Sequence, residues 1–149
     1  MLLNISMKNL IIADTGFWYA LINKDDHFHA QAVAALGNVD GRLISTWPVI
    51  TETSYLLQSR LGLRQVCEFL ASYHDGLFLG YELNPEQLLR MIELMQKYAN
   101  LPMDLADASL VVLAEALGHG RILSTDARDF ETYRWKNHRP FQNLLLPDD

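Results

Sequence analysis

Cysteine is almost missing: Cys67 is the only one in 149 residues. No intrachain disulfide can form, which leaves out a secreted disulfide scaffold and gives no cysteine-rich metal site. Long apolar runs are also missing, none approaching the roughly 20 residues of a membrane span. The opening "MLLNISMKNL" has no basic segment followed by a sustained apolar one, so no signal peptide is read. A cytoplasmic protein is the expectation, with no membrane partner and with Met1 or Met7 as its natural start. Positive charge is scarce, 12 Lys and Arg against 18 Asp and Glu, for a formal charge of −6. That balance argues against broad, charge-driven nucleic-acid binding, unless many of the acids are gathered in one metal-holding site. Distribution therefore matters more than the sum. The densest basic stretch is "RDFETYRWKNHRP", Arg128 to Pro140, which holds Arg128, Arg134, Lys136 and Arg139 besides His138.

What is present alternates between two patterns. "NLIIA" is a short continuous apolar run, as expected of a strand covered on both faces. "TGFWYALINK" reads as helix, with Phe17, Trp18 and Tyr19 either packed in the core or lining a groove. Asp25 and Asp26 offer N-caps for "HFHAQAVAALG", an Ala-rich helix closed by Gly37. "GRLIST" is a second strand, and Pro48 suits the first turn of the helix "VITETSYLLQSR". Leu63, Val66, Phe69, Leu70 and Tyr73 form a helical stripe ended by Gly76. "LFLGYEL" is a third strand. Asn84, Pro85 and Gln87 carry a capping-box start for the next helix. "DLADASLVVLAEALGHG" is another helix, "RILST" a fourth strand, and "PFQNLLL" a candidate fifth. No repeat, low-complexity tract or linker interrupts the pattern. The expectation is one α/β domain over residues 1–149, with a mainly parallel sheet of four to five strands and helices on both faces.

In open parallel sheets, ligands bind beyond the carboxyl ends of the strands. Asp14 follows "NLIIA" directly and Asp126 follows "RILST" directly, so two strands end in carboxylates at one edge. Glu52 lies in the opening turns of the helix after "RLIST". Asp104 and Asp107 lie three apart at the start of a mostly buried helix and share a face. Each acid also has an ordinary reading. Asp14, Asp104 and Asp126 can cap helices, and Glu52 can be a solvated helix residue. Asp107 is harder to dismiss, a turn inside an apolar helix where a free acid is costly. "DTG" at Asp14–Gly16 is also the short signature of an aspartic protease. That fold is all-β and builds its dyad from two such loops, whereas here the tripeptide sits in an alternating β/α pattern.

Two carboxylates about 4 Å apart repel by roughly 4 kcal/mol at an effective dielectric of about 20, so a cluster needs protons or cations near neutrality. With neither cysteine partners nor a His-x-x-x-His pair, zinc is not suggested. Oxygen-only donors favour Mg²⁺ or Mn²⁺, which pair with substrate phosphates, and metal-assisted phosphodiester hydrolysis is the natural chemistry. The pattern departs from two other Mg²⁺-dependent classes. A haloacid-dehalogenase-like phosphatase wants Asp-x-Asp where this chain has "DTG", and a P-loop enzyme needs a Gly-rich Lys-Ser/Thr loop that this chain lacks.

Four pieces in order, "IIADTGFWYALINKDDHFHAQA", "ITETSYLL", "LADASLVVLAEALG" and "RILSTDARDF", resemble PIN-domain ribonucleases, most closely the VapC-type toxins of toxin–antitoxin pairs. The resemblance implies an endoribonuclease in which Asp14, Glu52, Asp107 and Asp126 hold one or two Mg²⁺ or Mn²⁺ ions. Thr15 and Thr125, with Ser124 as an alternative to the latter, fall where that family often has supporting hydroxyls. Asp104 is an extra carboxylate, a supporting group or only a cap, and His29 matches a histidine seen after the first helix, with a structural or a catalytic role. No dedicated side-chain base is found, so water activated by metal is the expected nucleophile. Arg128, Arg134, Lys136 and Arg139 form either a phosphate-gripping rim near Asp126 or a solvated surface turn. The resemblance further implies an RNA substrate, a small antitoxin partner and a homodimer. The alternatives are a catalytically weak PIN-like binding module or another Mg²⁺-dependent phosphohydrolase.

Overall fold

A computed structural model describes residues 7–147. A short 3₁₀ turn, Met7–Asn9, leads into strand β1, Leu10–Ala13, whose four residues are all buried. The other strands of the main sheet are β2 (Arg42–Thr46), β3 (Phe78–Tyr81), β4 (Arg121–Leu123) and β7 (Gln142–Asn143). Their order is β3-β2-β1-β4-β7 and every pairing is parallel. The chain steps from β1 outward to β2 and β3, then crosses back to β4 on the other side of β1. With right-handed crossovers, the helices of the two halves cover opposite faces. The first set is α1 (Thr15–Ile22), α2 (His29–Asn38), α3 (Trp47–Arg60) and α4 (Leu63–His74); the second is α5 (Pro85–Lys97) and α6 (Leu105–Leu117). The short α7 (Ala127–Thr132) comes after β4.

Continuous burial on both faces explains the apolar runs. Leu10, Ile12, Ile44 and Ile122 are inaccessible to solvent, as are Leu110 and Leu113 of α6. The capping box at α5 is formed as the residues predict, Asn84 Oδ1 accepting from the Gln87 amide and Gln87 Oε1 from the Asn84 amide. Gly118 ends α6 with φ +80°, a left-handed turn that suits a residue without Cβ. Phe17 and Trp18 belong to the core. Trp18 packs edge-on to Phe69 and donates from Nε1 to Ser45 Oγ at 2.9 Å. Tyr19, half-buried, faces a cleft instead.

Three local expectations change. Helix α2 begins at His29 with Phe28 at its cap position; Asp26 Oδ2 accepts from the Phe28 amide, turning the chain before the helix rather than capping it. Gly37 does not stop that helix, because the Val39 amide still reaches the Ala35 carbonyl. The "RWKNHRP" stretch is a hairpin of β5 (Arg134–Trp135) and β6 (Arg139–Pro140), turned by Lys136 and Asn137 at φ +49° and +67°. The fifth strand of the main sheet is accordingly only two residues long, at β7. No helix among the described residues is long and apolar enough to cross a membrane.

Candidate active site

The strand order reverses at β1, whose two neighbours, β2 and β4, lead away in opposite directions. Such a switch point opens a crevice at the carboxyl edge. Asp14 leaves β1 there and caps α1, its Oδ1 accepting from the Phe17 amide at 2.9 Å. Its Oδ2 accepts from the Ser124 hydroxyl, and Ser124 Oγ in turn accepts from the Asp126 amide at 2.9 Å. One serine thus ties the ends of β1 and β4 together. Asn143 of β7 holds that serine in place, Nδ2 donating to its carbonyl and Oδ1 accepting from its amide.

The carboxylates of Asp14, Glu52, Asp107 and Asp126 line one cleft of about 350 Å³, together with Thr15 and Thr125. Four elements of the chain deliver those acids: the ends of β1 and β4, and helices α3 and α6. Asp104 stands apart. Its Oδ1 caps α6 by accepting from the Asp107 amide at 2.9 Å, and it borders an adjoining hollow with Trp47 and Glu52. The capping readings for Asp14 and Asp126 also hold, because Asp126 Oδ1 accepts from the Asp129 amide. Capping and lining the cleft are compatible: a cap uses one oxygen and leaves the carboxylate at the sheet edge. Gly16 has a steric reason to lack a side chain, since a Cβ there would stand 1.9 Å from Thr125 Oγ1.

Burial sets the electrostatics. Asp14 is pushed up to about 7, chiefly by desolvation; its hydrogen bonds to Ser124 and Phe17 oppose the rise, while Asp126 and Glu52 add to it. Asp107 is likewise pushed up to about 7 by burial and then by Asp104, against a hydrogen bond from the Tyr133 hydroxyl. Asp129 rises to about 6, from burial and its contact with Asp126. Neighbouring carboxylates in one cleft are eased by protons or by a cation. The donors here are all oxygens, and the buried Thr15 Oγ1 has no hydrogen-bond partner. Among the described residues no three His, Cys, Asp or Glu side chains stand close enough to enclose an ion by themselves. The set fits a hard divalent ion that keeps most of its waters and takes one or two carboxylates at a time.

The basic residues fall elsewhere. None of Arg128, Arg134, Lys136 and Arg139 lines the cleft. Arg134 Nη1 donates to the carbonyls of Glu131, Thr132 and Tyr133, closing the end of α7. Lys136 and Arg139 flank the Trp135 ring on the hairpin, where the Lys136 amide donates to Glu115. Glu115 is eight residues along α6 from Asp107, about 12 Å toward the opposite edge of the sheet. The hairpin residues thus fit the solvated-turn reading, while Arg128 is exposed two residues from Asp126. His29 is structural, its Nδ1 2.8 Å from the Ala20 carbonyl oxygen.

Sequence reading missed Arg60, among the described residues the one guanidinium on the cleft wall. A signal existed: Val49, Glu52, Leu56 and Arg60 are spaced three, four and four along α3 and share a face. Tyr133 was also missed. It lies 26 residues from Asp107, with no local pattern to connect them.

Residues 11–136 match the model of the PIN domain family. Among solved structures, the fold is similar to that of VapC20 of Mycobacterium tuberculosis, a sarcin-ricin loop cleaving toxin. The TM-score is 0.74 at 21% identity, covering 79% of this chain and 91% of that one. No curated protein matches the sequence. With the family's model spanning the first strand through the last long helix and beyond, the chain belongs to the PIN domain family.

Proposed function

We propose that this chain is a divalent-metal-dependent endoribonuclease that hydrolyses RNA phosphodiester bonds, the toxin of a toxin–antitoxin pair. The observation that carries the reading is the convergence of Asp14, Glu52, Asp107 and Asp126 on one cleft at the switch point of a parallel sheet. PIN-domain membership and the likeness to VapC20, which cleaves an RNA loop, support the ribonuclease reading and its toxin class.

These four carboxylates would hold Mg²⁺ or Mn²⁺, which when bound supplies Lewis acidity to the attacking water and to the phosphate oxygens. The protein's own part is orientation. Ser124 and the Phe17 amide fix both oxygens of Asp14, so that this acid presents one geometry to the cleft. Tyr133 holds Asp107 through Oδ2. Thr15 and Thr125 contribute hydroxyls beside the acids, and Asp104 shapes the start of α6 beneath Asp107. Exposed Leu88, Leu89 and Ile92 along α5 support burial against a second copy, in keeping with a homodimer. A small antitoxin is the partner this reading calls for, and cytoplasmic RNA the substrate.

Cleavage of a mixed RNA panel in Mg²⁺, Mn²⁺ or EDTA, comparing wild type with Asp14→Asn, tests the proposal. Metal-dependent cutting lost in the variant is the expected result. Absence of both cutting and carboxylate-dependent metal binding would leave the binding-module alternative.

A further inference from the structure

Among the described residues the cleft carries five carboxylates, Asp14, Asp26, Glu52, Asp107 and Asp126, and a single cation, Arg60. A phosphodiester strand entering such a wall meets like charge on nearly every side. Metal at the four-acid cluster relieves that only locally, so the strand also needs a grip beyond the reacting centre. Arg60 is placed for this. It is the last residue of α3, exposed, with its guanidinium 5.3 Å from the centre of the Tyr19 ring. Among the described residues it makes no ion pair, despite five acids on the same wall, whereas Arg64 is paired with Glu68 and Arg90 with Glu115. Stacking on an aromatic face leaves the planar N–H fork free for an anion and reduces the freedom lost when one binds.

The fold also sets how far this grip lies from the chemistry. Tyr19 is five residues along α1 from Asp14, about 7.5 Å of helix, and Arg60 is two turns and more beyond Glu52 on α3, about 12 Å. That rise seats the Arg60 backbone two turns along the wall from Glu52, with its guanidinium held over Tyr19 rather than on an acid. We propose that Arg60, held on Tyr19, anchors a phosphate of the substrate strand flanking the scissile one, as a positioning residue. The inference rests on the nuclease reading and adds the residue that seats the strand.

The test compares wild type with Arg60→Ala, Arg60→Lys, Tyr19→Leu and Arg64→Ala on a single-stranded RNA oligonucleotide that wild type cleaves, with melting curves to confirm folding. Arg60→Ala is expected to raise KM about tenfold with kcat within twofold. It should also flatten the dependence of log KM on log salt by about 0.7, the share of one single-strand phosphate contact. Arg60→Lys should fall between the two, Tyr19→Leu should reproduce part of the loss, and Arg64→Ala should match wild type. An unchanged KM and salt slope in Arg60→Ala, or an equal loss in Arg64→Ala, overturns the proposal. A second arm measures anisotropy of a labelled single-stranded RNA oligonucleotide of mixed sequence with Asp14→Asn, with and without Arg60→Ala. If wild type cuts no RNA, the nuclease reading fails, and this arm alone decides whether Arg60 grips a strand: weaker, less salt-sensitive binding supports it and equal binding refutes it.

Discussion

The Tyr133 hydroxyl donates to Asp107 Oδ2 at 2.8 Å, joining a fully buried ring to an acid of the cleft. The ring is fixed edge-on by Phe130 and Tyr98, so its oxygen has little freedom to turn away. This bond favours the charged form of Asp107 against the burial that opposes it. Tyr133→Phe keeps the packing and removes the donor. Asp107 then moves higher still, and the acid limb of the pH–rate profile shifts upward, with several-fold lower activity at pH 7. Stability falls by about 1 kcal/mol, the net worth of one hydrogen bond. A limb that stays in place in Tyr133→Phe would show that the bond does not govern this acid.

Without metal, stability should fall as pH rises from about 4 to about 7. Asp14 and Asp107 ionise at about 7 in the folded state against an ordinary 3.8. Between those values the folded chain binds more protons than the unfolded one, so the slope of stability with pH is negative. The gain is complete below the ordinary carboxylate range and gone above the folded value. For the fully buried Asp14 it is on the order of 4 kcal/mol at most. Denaturant melts in EDTA from pH 4 to 8 read it directly. Asp14→Asn should flatten the curve, and a wild-type curve that rises over this range would contradict the assignment.

Divalent ions should reverse the same trend. A cation bound to the folded state alone stabilises by about 2.7 kcal/mol at 100 times its Kd, which is several degrees in Tm. At pH 7.5 Mg²⁺ or Mn²⁺ should raise the melting temperature over an EDTA baseline. At pH 5 the rise should shrink, because protons then occupy Asp14 and Asp107. Equal shifts at both pH values, or in Asp14→Asn, would place the ion elsewhere.

Gly16→Ala should damage the site more than the fold. The new methyl meets Thr125 Oγ1 at 1.9 Å and Thr125 Cβ at 3.2 Å, a collision on the cleft wall beside Asp14. Pushing Thr125 aside costs about 1 kcal/mol or somewhat more, and activity falls further than Tm. Adding Thr125→Ala removes the closer of the two clashes and should recover part of the lost stability. A double variant no more stable than Gly16→Ala would point to a different origin.

The elements that were legible in the sequence are those whose signals are local. Continuous burial gave the strands unbroken apolar runs, and Asn84, Pro85 and Gln87 wrote the start of α5 into four residues. Asp14 and Asp126 were legible because strand ends in a parallel sheet share an edge, and Glu52 and Asp107 because they lie in the opening turns of helices. Contacts across the chain were not legible. Ser124 rather than Thr125 bonds Asp14, a choice made by the alternation of side chains at the end of β4. The basic run at Arg128–Arg139 is dense in sequence, yet a two-residue hairpin strand turns half of it away from the acids. Lys136 carries no signal of the left-handed backbone it adopts there, although Asn137, tolerant of that conformation, hinted at the turn.

Ala13 and Leu123 are direct partners across β1 and β4, and the Ser124 hydroxyl joins Asp14 to the Asp126 amide just beyond that pair. Distance between the first and last acids is therefore counted in whole residues. One residue inserted between Leu123 and Asp126 would carry the last acid off by about 3.3 Å, a strand's step. The exposed Ala99 and Asn100, between α5 and α6, bear no such constraint. Over evolutionary time this edge should resist insertions and deletions while that connection changes length more freely.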